Sequence, residues 1–172
     1  MGRTQVLMVA ILGAWLASTL AMWFAATRSF RTVDRVLKGG SSEFLELTRP
    51  LGENSTRQVA RYIASEINRT LFWGYGASQI ALGVVLFLLV WRSIPRQSLD
   101  MGLAAVMLVI AMALTLVITP MIVSLGRGID FLPRNPPPPV MPRFWALHGS
   151  FTALDGAKLL AGFVLLIRWI LR

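Results

Sequence analysis

Hydrophobic and polar positions divide the chain into four long apolar runs separated by polar segments. Three windows contain no charged residue: Thr4–Thr27 (24 residues), Leu71–Trp91 (21) and Met101–Gly126 (26). Each exceeds the roughly 20 residues that an α-helix needs to cross a hydrocarbon layer of about 30 Å. A fourth run, residues 144–170, is apolar with a few polar interruptions. The pattern predicts membrane-crossing helices over about residues 5–27, 71–91, 99–124 and 144–170. The expected fold class is all-α: one domain over residues 1–172, an integral membrane four-helix bundle with a short amphipathic helical segment between helices 1 and 2. The first run is about twice as long as a secretory signal core and stays apolar through Met22, Trp23 and Phe24, so it is expected to be a retained helix.

The segment over residues 28–70 has 8 basic and 5 acidic side chains. Phe30, Val33, Val36 and Leu37 form an apolar stripe beside Arg31, Asp34, Arg35 and Lys38, which predicts a short helix ended by Gly39-Gly40. Ser41-Ser42-Glu43 and Asn54-Ser55-Thr56 read as further helix starts. The last of these, with Val59, Tyr62, Ile63 and Ile67, meets no breaker before the second span. Short helices lying at the membrane interface are the expected arrangement.

Small residues mark where helices can approach closely. Ala10, Ala14, Ala17, Ala21 and Ala25 fall on one face of the first span, Gly76 and Gly83 lie one heptad apart in the second, and Gly162 lies in the fourth. Trp73, Tyr75 and Trp91 bracket the second span as interfacial aromatics do. The short turn over residues 92–97 predicts an antiparallel hairpin of spans two and three, and Pro120 predicts a kink or an end near the close of span three. A connector over residues 127–143 contains Asn135-Pro-Pro-Pro-Pro139, which favours a stiff polyproline spacer.

Composition narrows the chemistry. Charged residues are 15% where about 25% is usual, and mean hydropathy is +0.63, both unlike a soluble domain. Cysteine is absent and His148 is the sole histidine, so one chain cannot build a Cys/His metal site or a bis-histidine haem, and no metal or other cofactor is expected. The net charge of +9 places basic side chains against anionic headgroups. The bilayer is the expected partner, with a homo-oligomer or larger membrane complex beyond it and no nucleic acid. With four spans, eleven basic residues fall on the side of the long polar segment and five on the side of the termini, with Lys158 inside a span. This count places the long segment in the cytoplasm.

Candidate chemistry lies in the fourth span. At about 100° per residue, with His148 at zero, Thr152 falls at about +40°, Asp155 at about −20°, Gly162 at about −40° and Lys158 at about −80°. This predicts a polar stripe facing protein or water. Asp155 and Lys158, three residues apart, can pair. The stripe reads either as a proton, ion or anion path or as a structural clasp onto Ser78, Gln79 or Thr115. A second group, Glu66, Asn68 and Arg69, lies on the same membrane side as His148, so the four can form one polar cluster.

Ser65-Glu-Ile-Asn-Arg69 before span two, Thr119-Pro120 in span three and Phe144-Trp-Ala-Leu-His-Gly149 opening span four resemble the transmembrane protein 205-like family, a four-helix membrane domain of unknown function. The resemblance implies architecture and membrane location, and carries over His148 and Gly149 as signature positions. It implies no activity. The expected function is a non-enzymatic accessory or assembly subunit. The alternatives are a small oligomeric transporter or permeability factor using the stripe, and then a membrane enzyme or redox protein. The Ala/Arg-rich usage and lack of cysteine point to a bacterial inner membrane.

Overall fold

The computed structural model describes residues 2–93, 98–133 and 135–171. Among these, all regular structure is helical: α1 (Arg3–Gly39), α2 (Ser42–Thr48), a 3-10 turn (Arg49–Leu51), α3 (Gly52–Arg92), α4 (Ser98–Ala113), a π-helical turn (Leu114–Ile118), α5 (Thr119–Ile129) and α6 (Met141–Ile170). Four helical units, α1, α2 with α3, α4 with α5, and α6, are long and apolar enough to cross a membrane. The expected Arg96 and Arg172 of the terminal side and Arg134 of the connector lie outside the described residues.

The helices are longer than the apolar runs. Between Gly13 and Gly39 no glycine or proline interrupts α1, so the stripe of Phe30, Val33 and Val36 continues the first helix instead of forming a separate one. Gly40 ends it. A Cβ there would sit 2.6 Å from the Val36 carbonyl oxygen, so only glycine lets the chain turn at this point. Ser41 then caps α2, its hydroxyl accepting from the Phe44 N–H at 3.3 Å. Residues 54–70 run without a break into the second span as one 41-residue helix. At about 1.5 Å per residue α1 and α3 are roughly 55 and 60 Å long, so both project well past a hydrocarbon layer of about 30 Å. The segment between the first two spans is therefore mostly two collinear helix extensions, with α2 at their tip.

Pro120 neither ends the third span nor interrupts its helical course to Ile129. It lacks an N–H and crowds the carbonyl four residues back. The π turn of Leu114–Ile118 sits immediately before it, where a wider turn accommodates both effects.

α1 packs on α3, α3 on α4, α4 on α6, and α6 returns to α1, which closes a four-helix ring. One apolar cluster, with Leu12, Trp15, Leu86, Met107, Leu165 and Trp169, fills the half nearer the α3–α4 connection. A smaller one of Met22, Tyr75, Leu114 and Phe151 fills the other half. Outside, Leu20, Leu88, Val109, Leu116, Leu160 and Ile167 are exposed, an apolar exterior suited to lipid.

The three glycines lie at helix contacts. A Cβ on Gly76 would stand 2.6 Å from Thr115 Cγ2, on Gly83 2.9 Å from the Trp15 ring, and on Gly162 2.5 Å from Leu16 Cδ2. Gly76→Ala is expected to cost about 1–2 kcal/mol by overpacking against a β-branched neighbour; thermal unfolding in detergent checks it, with exposed Gly74→Ala as the neutral control. The alanine row of α1 lies on the outside of the ring. Ala10, Ala14, Ala17 and Ala21 are exposed, and the bundle is filled from the opposite face of α1 by Met8, Leu12, Trp15, Leu16, Thr19 and Met22. Large side chains are needed to fill the centre of a four-helix ring, so they take the inner face.

Candidate functional site

The charged pair of α6 occupies the seam between the two apolar clusters. Asp155 is 0% exposed and Lys158 1%. One helical turn places them together, with Lys158 Nζ 2.6 Å from Asp155 Oδ1. Lys158 also donates to the Tyr75 hydroxyl at 2.9 Å and to Gln79 Oε1. Tyr75 donates to Asp155 Oδ1 at 2.8 Å, and the Thr19 hydroxyl lies 3.1 Å from its oxygen. Trp23 Nε1 donates to Asp155 Oδ2 at 2.7 Å. Trp15 Nε1 donates to Gln79 Oε1, and Gln79 Nε2 donates to Ser18 Oγ at 2.8 Å. The cluster thus ties α6 to α1 and α3 at once.

An ammonium group has three N–H donors. In Lys158 these meet Asp155, Tyr75 and Gln79, and both carboxylate oxygens of Asp155 are likewise occupied. A charge in a span costs about 2.5–3.5 kcal/mol on insertion scales, which this pairing offsets. Beside the cluster is a cavity of about 10 Å³, lined by Tyr75, Gln79, Thr115, Phe151 and Lys158 among others. That is room for about one water molecule.

The stripe reaches the interior only in part. Asp155, Lys158 and Gly162 are buried, but Thr152 is exposed and donates to the His148 carbonyl at 3.0 Å. His148 is half-buried, its Nδ1 3.1 Å from the Phe144 carbonyl oxygen and its ring 4.3 Å from that of Phe144. The reason is angular. The buried row of α6, which includes Phe151, Asp155, Lys158, Gly162 and Trp169, centres about 50° from His148 and about 90° from Thr152 at 100° per residue. Ser78 and Thr115, the other expected partners of the clasp, bond backbone carbonyls of their own helices.

Glu66 and Arg69 pair, but the cluster they join is not the one expected. Arg69 Nη2 stands 2.8 Å from each Asp130 carboxylate oxygen, and Nη1 donates to Glu66. Arg127 approaches Glu66 at 3.4 Å. Burial works against the Arg69 charge, yet hydrogen bonds and charge from Asp130 and Glu66 outweigh it and hold its pKa above the ordinary arginine value. Asn68 turns to α1, accepting from Ser29 Oγ at 2.9 Å, and His148 stays with its own helix. At the opposite end of the bundle Asp100 accepts from Arg168 Nε at 3.0 Å and from Trp169 Nε1 at 2.9 Å.

Tyr75, Trp15 and Trp23 were not among the sequence candidates, and Tyr75 is 8% exposed where an interfacial position was expected. A signal existed: Trp15, Thr19 and Trp23 recur every four residues on α1, as do Tyr75 and Gln79 on α3, which puts polar-tipped residues in rows.

These features define a polytopic α-helical membrane protein whose spans are locked by internal polar contacts. A domain of unknown function (DUF4149) is found at residues 54–128, covering α3 through most of α5 and so Glu66, Arg69, Tyr75 and Gln79. No curated protein and no solved structure matches the chain.

Proposed function

We propose that the chain is a non-enzymatic accessory or assembly subunit of a membrane complex. The closed central cluster carries this reading. Every donor of Lys158 and both oxygens of Asp155 are committed within the chain, and the adjoining cavity holds little more than a water. A transport path along α6 would require Thr152 and His148 to face that interior, and they do not. Interaction then belongs to the outer surface. The outward alanine row of α1 favours close approach of another helix, from a second copy or a different subunit.

The finer assignments belong to the same reading: a transmembrane protein 205-like chain, supported by the segments 65–69, 119–120 and 144–149, in a bacterial inner membrane with the α1–α3 extensions in the cytoplasm. Native mass spectrometry of the full chain from mild detergent tests it. The expected result is a defined stoichiometric assembly, either homo-oligomer or heteromer. A monomer whose flux in proteoliposomes disappears with Asp155→Asn at unchanged yield would replace this reading with the transport one.

A further inference from the structure

Where α1 and α3 leave the apolar spans, a groove of about 370 Å³ opens between them. That volume lies in the range of small-molecule sites, about 300–1,000 Å³. Ala25 and Val33 of α1 and Ala60, Ile63, Ala64 and Ile67 of α3 line it, and Arg28 and Thr32 stand on its α1 wall. The helices are antiparallel, so Ala25 meets the Ile67 end and Val33 the Ala60 end. From one end to the other the groove rises about 12 Å at 1.5 Å per residue.

Its position along the membrane normal is set by charge. The uncharged window of α1 closes at Thr27 and that of α3 opens at Leu71. Ala25 and Ile67 therefore sit at the hydrocarbon boundary, and the rest of the groove traverses the headgroup layer, about 5–8 Å thick per leaflet. An apolar surface continuous with acyl chains thus extends into a zone of phosphates. Ile63 and Ile67 are 53% and 52% exposed, which leaves this apolar wall facing outward.

Electrostatics select the sign of the occupant. Asp34 and Glu53 are paired with Arg57, and Glu66 with Arg69 and Arg127. Among the described residues no carboxylate pairs with Arg28, Arg31 or Arg35, so the rim carries uncompensated positive charge. The Arg28 guanidinium lies 5.0 Å from the centre of the Phe24 ring, which fixes its stem while leaving its N–H fork available. Thr32 is one turn away on the same face and is likewise exposed.

We infer that this groove binds an anionic phospholipid, its phosphate held by Arg28 and Thr32 and its glycerol and upper acyl segment running inward between Ala25 and the Ile63–Ile67 wall. Charge-assisted hydrogen bonding gives the headgroup preference, and the apolar wall distinguishes a lipid from a free anion.

Native mass spectrometry of the detergent-solubilised full chain, titrated with phosphatidylglycerol, phosphatidylcholine or inorganic phosphate, tests this. One phosphatidylglycerol is expected to be retained in preference to phosphatidylcholine. Retention should fall about tenfold in Arg28→Gln, the loss of one charge-assisted contact. It should fall as well in Ala60→Phe, which fills the outer end of the groove without touching charge; circular dichroism confirms that both variants remain helical. Equal retention of the two lipids, or retention of phosphatidylglycerol unchanged in both variants, would overturn the inference. So would displacement of the lipid by inorganic phosphate at equal concentration, or a dimer that lipid-free wild-type protein forms and Ala60→Phe abolishes, since a second copy would then occupy the groove.

Discussion

Asp155→Leu is expected to destabilise the folded chain by about 3–5 kcal/mol, the largest effect of any single substitution in the bundle. The change leaves the Lys158 ammonium buried with no counter-charge and strips the acceptor from Trp23 and Tyr75. Lys158→Met should cost a similar amount for the mirror reason. The double variant Asp155→Leu/Lys158→Met removes both charges together and is expected to recover much of the loss, because a pair of buried ions replaced by apolar groups of similar size is often near neutral. Thermal unfolding in detergent, followed by tryptophan fluorescence, reads this directly, since Trp23 contacts the carboxylate and Trp15 contacts Gln79. Losses that simply add in the double variant would show that the two side chains act independently and would remove the clasp.

The spans were legible because lipid imposes one strong constraint: an apolar run of sufficient length must be a helix with its backbone bonds satisfied internally. Helix ends were less legible. Charge begins at Arg28, but helix propagation responds to Gly39-Gly40 and not to polarity, so α1 continues for twelve residues beyond the apolar run that ends at Thr27. Pro120 likewise suggested a break, which the π turn before it absorbs.

The central pair could be read from α6 alone, since Asp155 and Lys158 are three residues apart inside an apolar segment. Their surroundings could not, because these depend on how α1 and α3 rotate about their own axes. Small residues marked the alanine row of α1 as a face for close helix approach, without saying whether that face turns toward the bundle or away from it. Ring closure by four helices leaves a centre that alanine cannot fill, and the row of Trp15, Thr19 and Trp23 turns inward instead. The same rotation brings Tyr75 off the interface and under Asp155. His148 illustrates the converse: its wheel angle lies close to that of Asp155, but it falls at the edge of the buried row and satisfies itself on Phe144.

The second large effect concerns Arg69, which joins α3 to the end of the third span. Its side chain is 10% exposed and that of Asp130 8%, so the fork between them works at reduced dielectric. Arg69→Met is expected to cost about 2–3 kcal/mol, the range for a lost charged hydrogen-bond pair. The consequence should be local. Asp130 immediately follows α5 and opens the connector to α6, so releasing it frees the connector while the Asp155 cluster, about 9 Å further along α3 at 1.5 Å per residue, keeps its partners. Limited proteolysis should therefore cut within residues 131–140 several-fold faster in Arg69→Met and in Asp130→Asn, with hydrogen exchange raised in α5 and unchanged around Tyr75. Gly126 sharpens the test, because a Cβ there would sit 3.3 Å from Arg69 Nη2 and 3.4 Å from the Phe144 ring. Gly126→Val should push the guanidinium off Asp130 and reproduce the same cleavage pattern without altering any charge. Equal protease resistance in all three variants would mean that packing of α5 on α6, and not this ion pair, holds the connector in place.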